Sequence, residues 1–231
     1  MNHEISIIIP IYNRVKTLIQ CLGSLEKQTF QNFEVIIVDD ESTEDVKSVL
    51  PTILGSAPVK YLKITHGGAN KARNAGFRAS KGFYLLFLDA DIVCKPQMLE
   101  KMLNTLKNAN FASYCYASFK NGWKSFKLQA FDPEKLKKVN YIHTSSLIRR
   151  QDFLGFDESL KRFQDWDLWL SMLEQNKVGV WIPEILFQIK SQGTMSSWLP
   201  KFFYNFFWLK KVKKYHEAEN FIIAKHDLQK K

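Results

Sequence analysis

The sequence has few of the residues that build a disulfide framework or a cysteine-based metal site. Its 231 residues contain three cysteines, Cys21, Cys94 and Cys115, and their spacing matches no zinc motif. Free thiols in a reducing compartment are the simplest interpretation of an odd number. An uninterrupted apolar run of about 18 residues is also absent, so no conventional transmembrane helix is predicted. The first residues lack the pattern of a secretory signal, and we therefore expect a cytoplasmic protein.

Acidic residues are outnumbered by basic ones, and the formal net charge is +10. The excess is local: residues 120–150 contain eight Lys or Arg against two acidic residues, and residues 201–231 contain eight Lys against three. Basic proteins often bind nucleic acid or anionic membranes. Because the rest of the chain is close to neutral and no nucleic-acid-binding motif occurs, we expect no nucleic-acid partner.

Apolar β-branched runs alternate with amphipathic segments over the first hundred residues. The runs ISIIIPIY (5–12), FEVIIVDD (33–40), VKYLKI (59–64) and FYLLFL (83–88) are typical of strands buried on both faces. The segments between them have apolar residues at helical spacing. This alternation predicts an α/β fold, with a Rossmann-like, mostly parallel central sheet flanked by helices.

Two of the predicted strands end in pairs of aspartates, Asp39 with Asp40 and Asp89 with Asp91. Parallel neighbours place their carboxyl ends at one edge of a sheet, where open α/β proteins bind ligands. Four clustered carboxylates repel one another unless cations, backbone N–H groups or a metal neutralise them. Hard divalent cations prefer carboxylate oxygens and often bind together with a diphosphate. The alternative is that each aspartate only caps a turn or a following helix.

The chain resembles the family 2 nucleotide-sugar glycosyltransferases, which have the GT-A fold, over roughly residues 4–190. The resemblance rests on four stretches in the family's order: SIIIPIYNR, SLEKQTFQNFEVIIVDDEST, GGANKARNAGFRASKGFYLLFLDADI and FDESLKRFQDWDLWLSM. It implies a catalytic domain at residues 1–195, with a nucleotide-binding half at about 1–110 and an acceptor half at about 111–195. The expected donor is a nucleotide-diphosphate sugar, with a UDP-sugar favoured, and the expected acceptor is a saccharide or a lipid-linked saccharide.

The resemblance also implies roles for single residues by their position. Asp91 would bind a divalent metal, Mn²⁺ or Mg²⁺, and Asp165 would be the general base that deprotonates the acceptor hydroxyl, so that transfer inverts the anomeric carbon. His143 and Trp166 are candidate acceptor or donor contacts. The implied nucleotide-sugar contacts are Pro10, Tyr12, Asn13, Asp39, Asp40, Lys71, Arg73 and Asp89.

Some positions depart from the family's pattern. The base motif usually reads Glu-Asp, but Gln164 precedes Asp165 here, and Asp167 is a competing base two residues on. A histidine that often follows the last strand of relatives is missing from FQIKSQGTMSS, where Lys190 and Gln192 are the candidate replacements. These departures leave a catalytically inactive binding or scaffold protein of the same fold as the alternative.

Aromatic residues in the basic segments suggest further contacts. Trp123 and Phe126 lie in the irregular basic segment, where relatives vary with their acceptors, and we expect them to contact the acceptor. Residues 196–231 form an aromatic and basic helical tail, typical of a helix at an anionic membrane surface. Peripheral attachment at the inner face of the cytoplasmic membrane is therefore one expectation, and packing of the aromatic residues on the domain is the other. The aromatic and apolar residues concerned are Trp198, Phe202, Phe203, Phe206, Phe207 and Leu209.

Overall fold

The computed structural model describes residues 3–50, 58–190 and 210–229, with backbone only at Lys210 and Lys211. The strands in this part of the chain are β1 (Ile5–Ile11), β2 (Phe33–Asp39), β3 (Val59–Lys63), β4 (Tyr84–Phe87), β5 (Ile92–Cys94), β6 (Ala112–Asn121), β7 (Lys124–Phe126), β8 (Leu147–Arg149) and β9 (Val178–Ile189). The helices are α1 (Val15–Glu26), α2 (Ala69–Ala79), α3 (Met98–Asn108), α4 (Pro133–Lys138), α5 (Gln164–Glu174) and α6 (Lys210–Lys225).

A single sheet runs through the described residues in the order β3-β2-β1-β4-β8-β6-β9-β5, with β7 paired to β6. Strands β3, β2, β1 and β4 are parallel, and so are β6 and β9. Strand β8 is antiparallel to both of its neighbours, and β5 is antiparallel to β9. The α/β class and the mostly parallel sheet that the alternating pattern predicts are confirmed.

Strand β1 has both faces buried, because helices cover the sheet on either side. Ile5, Ile7 and Ile9 belong to an apolar cluster that includes buried residues of α1 and α3. Ile8 points the other way and belongs to a second cluster, shared with α2 and α5. Burying one such side chain contributes roughly 1.5–3 kcal/mol, so this strand orients the layers around it and directs its carboxyl end, with those of β2 and β4, to one edge.

The last strand differs from the sequence prediction. The segments VGVWI and ILFQI are predicted as two short strands, but they form the single strand β9. Its pairing with β6 is shifted between Ala117, opposite Ile182, and Ser118, opposite Ile185. Pro183 lies in this shift, and a proline lacks the N–H that a regular ladder requires. The irregularity therefore accommodates the proline without ending the strand.

Helix α6 packs against the sheet's helical layer through α5. Val212 and Ile222 are fully buried, and Ile222 joins the apolar cluster that contains α5 residues. The Tyr215 ring lies 5.1 Å from that of Phe163, which precedes α5. The aromatic residues from Trp198 to Leu209 lie outside the described residues. None of the helices described is both long and apolar enough to span a membrane.

The contact between His226 and α5 predicts a pH-dependent contribution to stability. Burial lowers the pKa of His226, but hydrogen bonds with Asp167 and Glu174 raise it, and the net shift is upward. A raised folded-state pKa gives stability that is fully present below the unfolded value, about 6.5, and is lost as pH rises through the folded-state value. Each pKa unit of this shift corresponds to about 1.4 kcal/mol.

We therefore expect His226→Gln to lower the free energy of unfolding more at about pH 5.5 than at about pH 8.5, given the upward shift caused by its carboxylate partners. Urea denaturation of both proteins at the two pH values measures this difference. A destabilisation that is independent of pH, or that grows as pH rises, would contradict the assignment.

Candidate active site

Asp39, the last residue of β2, is held by the loop that follows it and by β3. It is 1% exposed. Its Oδ1 accepts a hydrogen bond from the Ser42 N–H at 2.7 Å, and its Oδ2 accepts one from the Tyr61 hydroxyl at 2.6 Å. Burial raises the pKa of Asp39, but these bonds and the Lys63 ammonium lower it, so the net shift is downward. Asp39 is therefore a buried anion that fixes the loop after β2.

Asp40 fixes the start of α2. Its two oxygens accept hydrogen bonds from the backbone N–H groups of Gly67 and Gly68, each at 2.8 Å. Gly68 has φ +89°, in the region that favours glycine, so the chain can turn sharply into the helix. The His66 Nδ1 also lies 3.0 Å from Asp40 Oδ2. The second aspartate of this pair thus determines where α2 begins.

The end of β1 and its following turn border the same edge. Tyr12 is 49% exposed, and its ring lies 4.7 Å from the His66 ring. Asn13 Oδ1 accepts hydrogen bonds from the N–H groups of Thr43 at 2.8 Å and Glu44 at 3.3 Å. Asn13 therefore ties the β1 turn to the β2 loop, while Tyr12 offers an aromatic surface beside Asp40. Two other expected contacts, Pro10 and Lys71, lie in β1 and in the first turn of α2.

Arg73 on α2 lies against Asp89 rather than in solvent. The guanidinium Nη2 is 2.6 Å from Asp89 Oδ1, and Nη1 donates to Asn70 Oδ1 at 3.2 Å. Arg73 is 6% exposed and packs 5.2 Å from the centre of the Phe156 ring. The charge of Arg73 is thus already paired with Asp89, and its expected contribution to nucleotide binding stays a prediction. Burial raises the pKa of Asp89, but the guanidinium lowers it, with a net downward shift.

Asp91 is the half-buried carboxylate of the second pair. Burial and the negative charge of Asp89 raise the pKa of Asp91 above its ordinary value. A cation bound there would relieve this repulsion, so the residues fit a divalent metal. Among the residues described, no group of three or more His, Cys, Asp or Glu could hold a metal by itself. One carboxylate together with substrate phosphates is a common way of holding Mg²⁺.

Of the two candidate replacements for the missing histidine, Lys190 lies beside Asp91, because its N–H donates to the Asp91 carbonyl at 2.7 Å. The other candidate, Gln192, lies outside the described residues.

Asp165 lies in the first turn of α5. Its Oδ1 accepts hydrogen bonds from Asn140 Nδ2 at 2.9 Å and from the Trp166 N–H at 3.0 Å. Asp167 points elsewhere: its Oδ1 lies 2.9 Å from His226 Nε2 and 2.7 Å from Lys225 Nζ. The two aspartates thus have separate surroundings. Asp167 is 4% exposed and already engaged with α6.

His143 lies within electrostatic range of three of these carboxylates. Burial lowers the pKa of His143, although Asp89, Asp165 and Asp91 act to raise it. Its ring centre is 5.2 Å from that of Phe119 and 5.3 Å from that of Phe187. The Ser145 N–H donates to His143 Nδ1 at 3.0 Å, so the neutral ring carries its proton on Nε2. The acids after β4 and the acid of α5 therefore all lie within electrostatic range of one buried ring.

Trp166 lies in the core rather than in the site. It is 3% exposed, and its Nε1 donates to the Leu136 carbonyl at 2.7 Å. A side chain so enclosed has almost no surface for a substrate, which corrects the expectation of an acceptor or donor contact. Trp123, in contrast, is fully exposed in the turn between β6 and β7.

Three residues of the site were not predicted from the sequence, namely Tyr61, His66 and Asn140. Tyr61 reaches Asp39 only because β3 pairs with β2. His66 meets Tyr12 across the sheet edge, and Asn140 meets Asp165 from 25 positions away in the chain. Only His66 has a local signal, since it directly precedes the Gly67–Gly68 turn.

The sequence of this chain matches that of a known protein family. A model described as glycosyl transferase family 2 matches residues 6–159. The chain belongs to glycosyl transferase family 2. An uncharacterized glycosyltransferase of Haemophilus influenzae is 33% identical over 74% of this chain and 62% of its own length. The Bacillus subtilis protein YwdF, also an uncharacterized glycosyltransferase, is 32% identical over 76% of this chain and 70% of its own.

Solved structures show the same fold. Staphylococcus aureus TarS 1–349 in complex with UDP-GlcNAc has a TM-score of 0.71 and 21% identity, covering 87% of this chain and 64% of that one. The mannosyltransferase PcManGT of Pyrobaculum calidifontis, in complex with GDP-Man and Mn²⁺, has a TM-score of 0.67 and 15% identity, covering 81% and 57%. The expected GT-A fold is thereby confirmed. The chain spans only 27% of the Rickettsia bellii glycosyltransferase that it matches at 30% identity.

Proposed function

We propose that this chain is an inverting glycosyltransferase that moves a sugar from a nucleotide-diphosphate sugar to a hydroxyl acceptor. One observation carries the proposal: Asp89 is oriented by Arg73 at 2.6 Å and Asp165 by Asn140 at 2.9 Å, and both carboxylates lie within electrostatic range of His143. Such a displacement needs a base beside the acceptor hydroxyl and stabilisation of the leaving diphosphate, and an acid that can hold a cation serves the second purpose. Membership of glycosyl transferase family 2 supports the same conclusion.

The donor is proposed to bind along the carboxyl ends of β1 and β2. Tyr12 offers its exposed ring to the base, and Asp40 lies next to it. Both oxygens of Asp40 already accept one backbone hydrogen bond, but each carboxylate oxygen has a second lone pair for a base or ribose group. Lys71 is proposed to assist from the first turn of α2. A UDP-sugar is favoured, because TarS has been solved with UDP-GlcNAc.

A divalent metal, Mn²⁺ or Mg²⁺, is proposed to bind Asp91 and the donor diphosphate. When bound, it would stabilise the negative charge that develops on the leaving diphosphate. Asp89 is proposed to accept a hydrogen bond from the ribose or the sugar, in an orientation fixed by Arg73. The complex of PcManGT with Mn²⁺ supports a metal at this kind of site.

Asp165 is proposed to accept the proton of the attacking hydroxyl. Asn140 and the Trp166 N–H bind its Oδ1 and so orient the carboxylate, and Oδ2 is the proposed proton acceptor. The acceptor oxygen forms a bond to the anomeric carbon while the bond from that carbon to the diphosphate oxygen breaks. Attack opposite the leaving group inverts the configuration. Neutral His143 is proposed to donate from Nε2 to a group in the site.

The acceptor is proposed to be a saccharide, free or lipid-linked, that contacts Trp123 and Phe126. Phe126 stacks on Phe119 with ring centres 4.8 Å apart, and Phe119 contacts His143, so an aromatic path leads from the hairpin to the acids. Peripheral attachment of a cytoplasmic protein to an anionic membrane is proposed through the basic segment at residues 201–231. The exposure of Lys213 and Lys214 on α6 supports this surface.

The proposed base gives the most direct test of the function. We expect Asp165→Asn to lower donor hydrolysis or transfer by about 10²-fold or more, because a neutral amide cannot accept the proton. Binding of UDP measured by calorimetry should be retained, since Asp165 is assigned to the acceptor side. The exposed variant Glu26→Gln is the control.

Two outcomes would overturn this proposal. If the protein bound none of the uridine, guanosine or thymidine diphosphate sugars with Mn²⁺ or Mg²⁺ present, the donor assignment would be wrong. If binding occurred without any turnover by the wild type, the catalytically inactive alternative, which Gln164 favours, would be correct.

Trp123 gives a separate test of the acceptor side. We expect Trp123→Ala to raise the KM for the acceptor several-fold, since aromatic stacking contributes on the order of 0.5–1.5 kcal/mol, while donor hydrolysis stays unchanged. Phe83→Ala is a matched control, because Phe83 is 63% exposed and precedes β4, at the sheet edge opposite the acids. An unchanged acceptor KM would refute the contact.

A further inference from the structure

Helix α6 ends at Lys225, and His226 follows it directly. These two basic residues bind acidic residues of α5 and of the loop before α5. Lys225 Nζ lies 2.7 Å from Asp157 Oδ2 and 2.7 Å from Asp167 Oδ1. The His226 ring bridges two α5 carboxylates, with Nε2 2.9 Å from Asp167 Oδ1 and Nδ1 2.7 Å from Glu174 Oε1. The His226 side chain is 2% exposed. The end of α6 is therefore held by ionic contacts in addition to the apolar packing of the helix.

One branch of contacts leads from Lys225 to the donor side of the site. The Asp157 carbonyl accepts a hydrogen bond from Asn70 Nδ2 at 2.6 Å, and Asn70 Oδ1 accepts one from Arg73 Nη1 at 3.2 Å. Arg73 Nη2 lies 2.6 Å from Asp89 Oδ1. Through the residues of the Asp157 turn, direct polar contacts connect α6 with Asp89.

A second branch leads to the acceptor side and is shorter. Asp167, which both basic residues bind, lies in the first turn of α5 together with Asp165. Ile222 of α6 is fully buried in the apolar cluster that contains Leu168 and Trp169 of α5. The first turn of α5, which carries Asp165, is therefore held by α6 through charge and through packing.

We infer that Lys225 and His226 are positioning residues for the transfer reaction, so that α6 belongs to the machinery of the site. Through Asp157 and Asp167 they orient the donor-side carboxylate and the general base. This inference rests on the proposed function. Removing a group that orients a ligand of a metal site typically lowers affinity or activity about 10- to 100-fold. A helix that only stabilised the fold would have no such effect on the folded protein.

The donor branch is tested by the affinity for UDP in the presence of Mn²⁺. We expect Lys225→Met to weaken UDP binding about tenfold in calorimetric titrations, because the turn that holds Asn70 loses its anchor. Lys225→Arg, which keeps the positive charge, should restore most of the affinity. Lys214→Met is the matched control, since it removes one lysine charge from an exposed position on the same helix, and it should bind UDP as the wild type does.

A second variant covers the case in which Lys225→Met fails to fold. Asp157→Asn removes the charged partner but keeps the carbonyl that Asn70 binds, and it should also weaken UDP binding. Where both variants fold, their effects should not add in the double variant, because they break the same contact. Wild-type affinity in both folded variants, with only reduced stability in urea, would overturn the inference and leave the proposed function intact. No UDP binding by the wild type would instead overturn the proposed function.

Discussion

The ion pair between Arg73 and Asp89 is the interaction on which the rest of the site depends. It joins α2 to the end of β4 at 2.6 Å, with the guanidinium almost fully enclosed. A buried charge without a partner is strongly destabilising, so replacing either residue alone by a neutral one should destabilise the fold. Asp91 has no such partner in Arg73, and burial together with the negative charge of Asp89 raises its pKa. A cation bound at Asp91 would relieve the repulsion between the two carboxylates.

The position of Arg73 depends on the first pair of acids, because Asp40 fixes the start of the helix that carries Arg73. Asp40 binds the Gly67 and Gly68 N–H groups and so determines where α2 begins. Arg73 follows one turn later on the buried face of that helix. On the same face of α2, Asn70 binds the turn at Asp157, which α6 anchors. Helices α2, α5 and α6 therefore meet in one network of polar contacts, which is the physical basis for treating α6 as part of the site.

Much of the fold follows from local pattern, and less of the site does. Buried β-branched runs and paired acids at strand ends identify β1, β2 and β4 and their common edge. Trp166 shows the limit: its apolar character is compatible with a site wall or a core, and only the hydrogen bond to Leu136 decides between them. The hydrogen-bond partners of the two α5 aspartates are distant in sequence, so no local pattern predicts them. They are Asn140 for Asp165 and His226 for Asp167. The continuation of β9 past Pro183 as one strand likewise depends on its pairing with β6, which the local sequence does not show.

The central claim is that the two aspartate pairs form one metal-assisted nucleotide site. Calorimetric titration of the wild type with UDP, with and without Mn²⁺, tests it most directly, with Asp91→Asn as the comparison. We expect Mn²⁺ to tighten UDP binding in the wild type, and we expect this coupling to disappear in Asp91→Asn. UDP binding of equal affinity with and without the metal, or a metal effect that survives in Asp91→Asn, would contradict it.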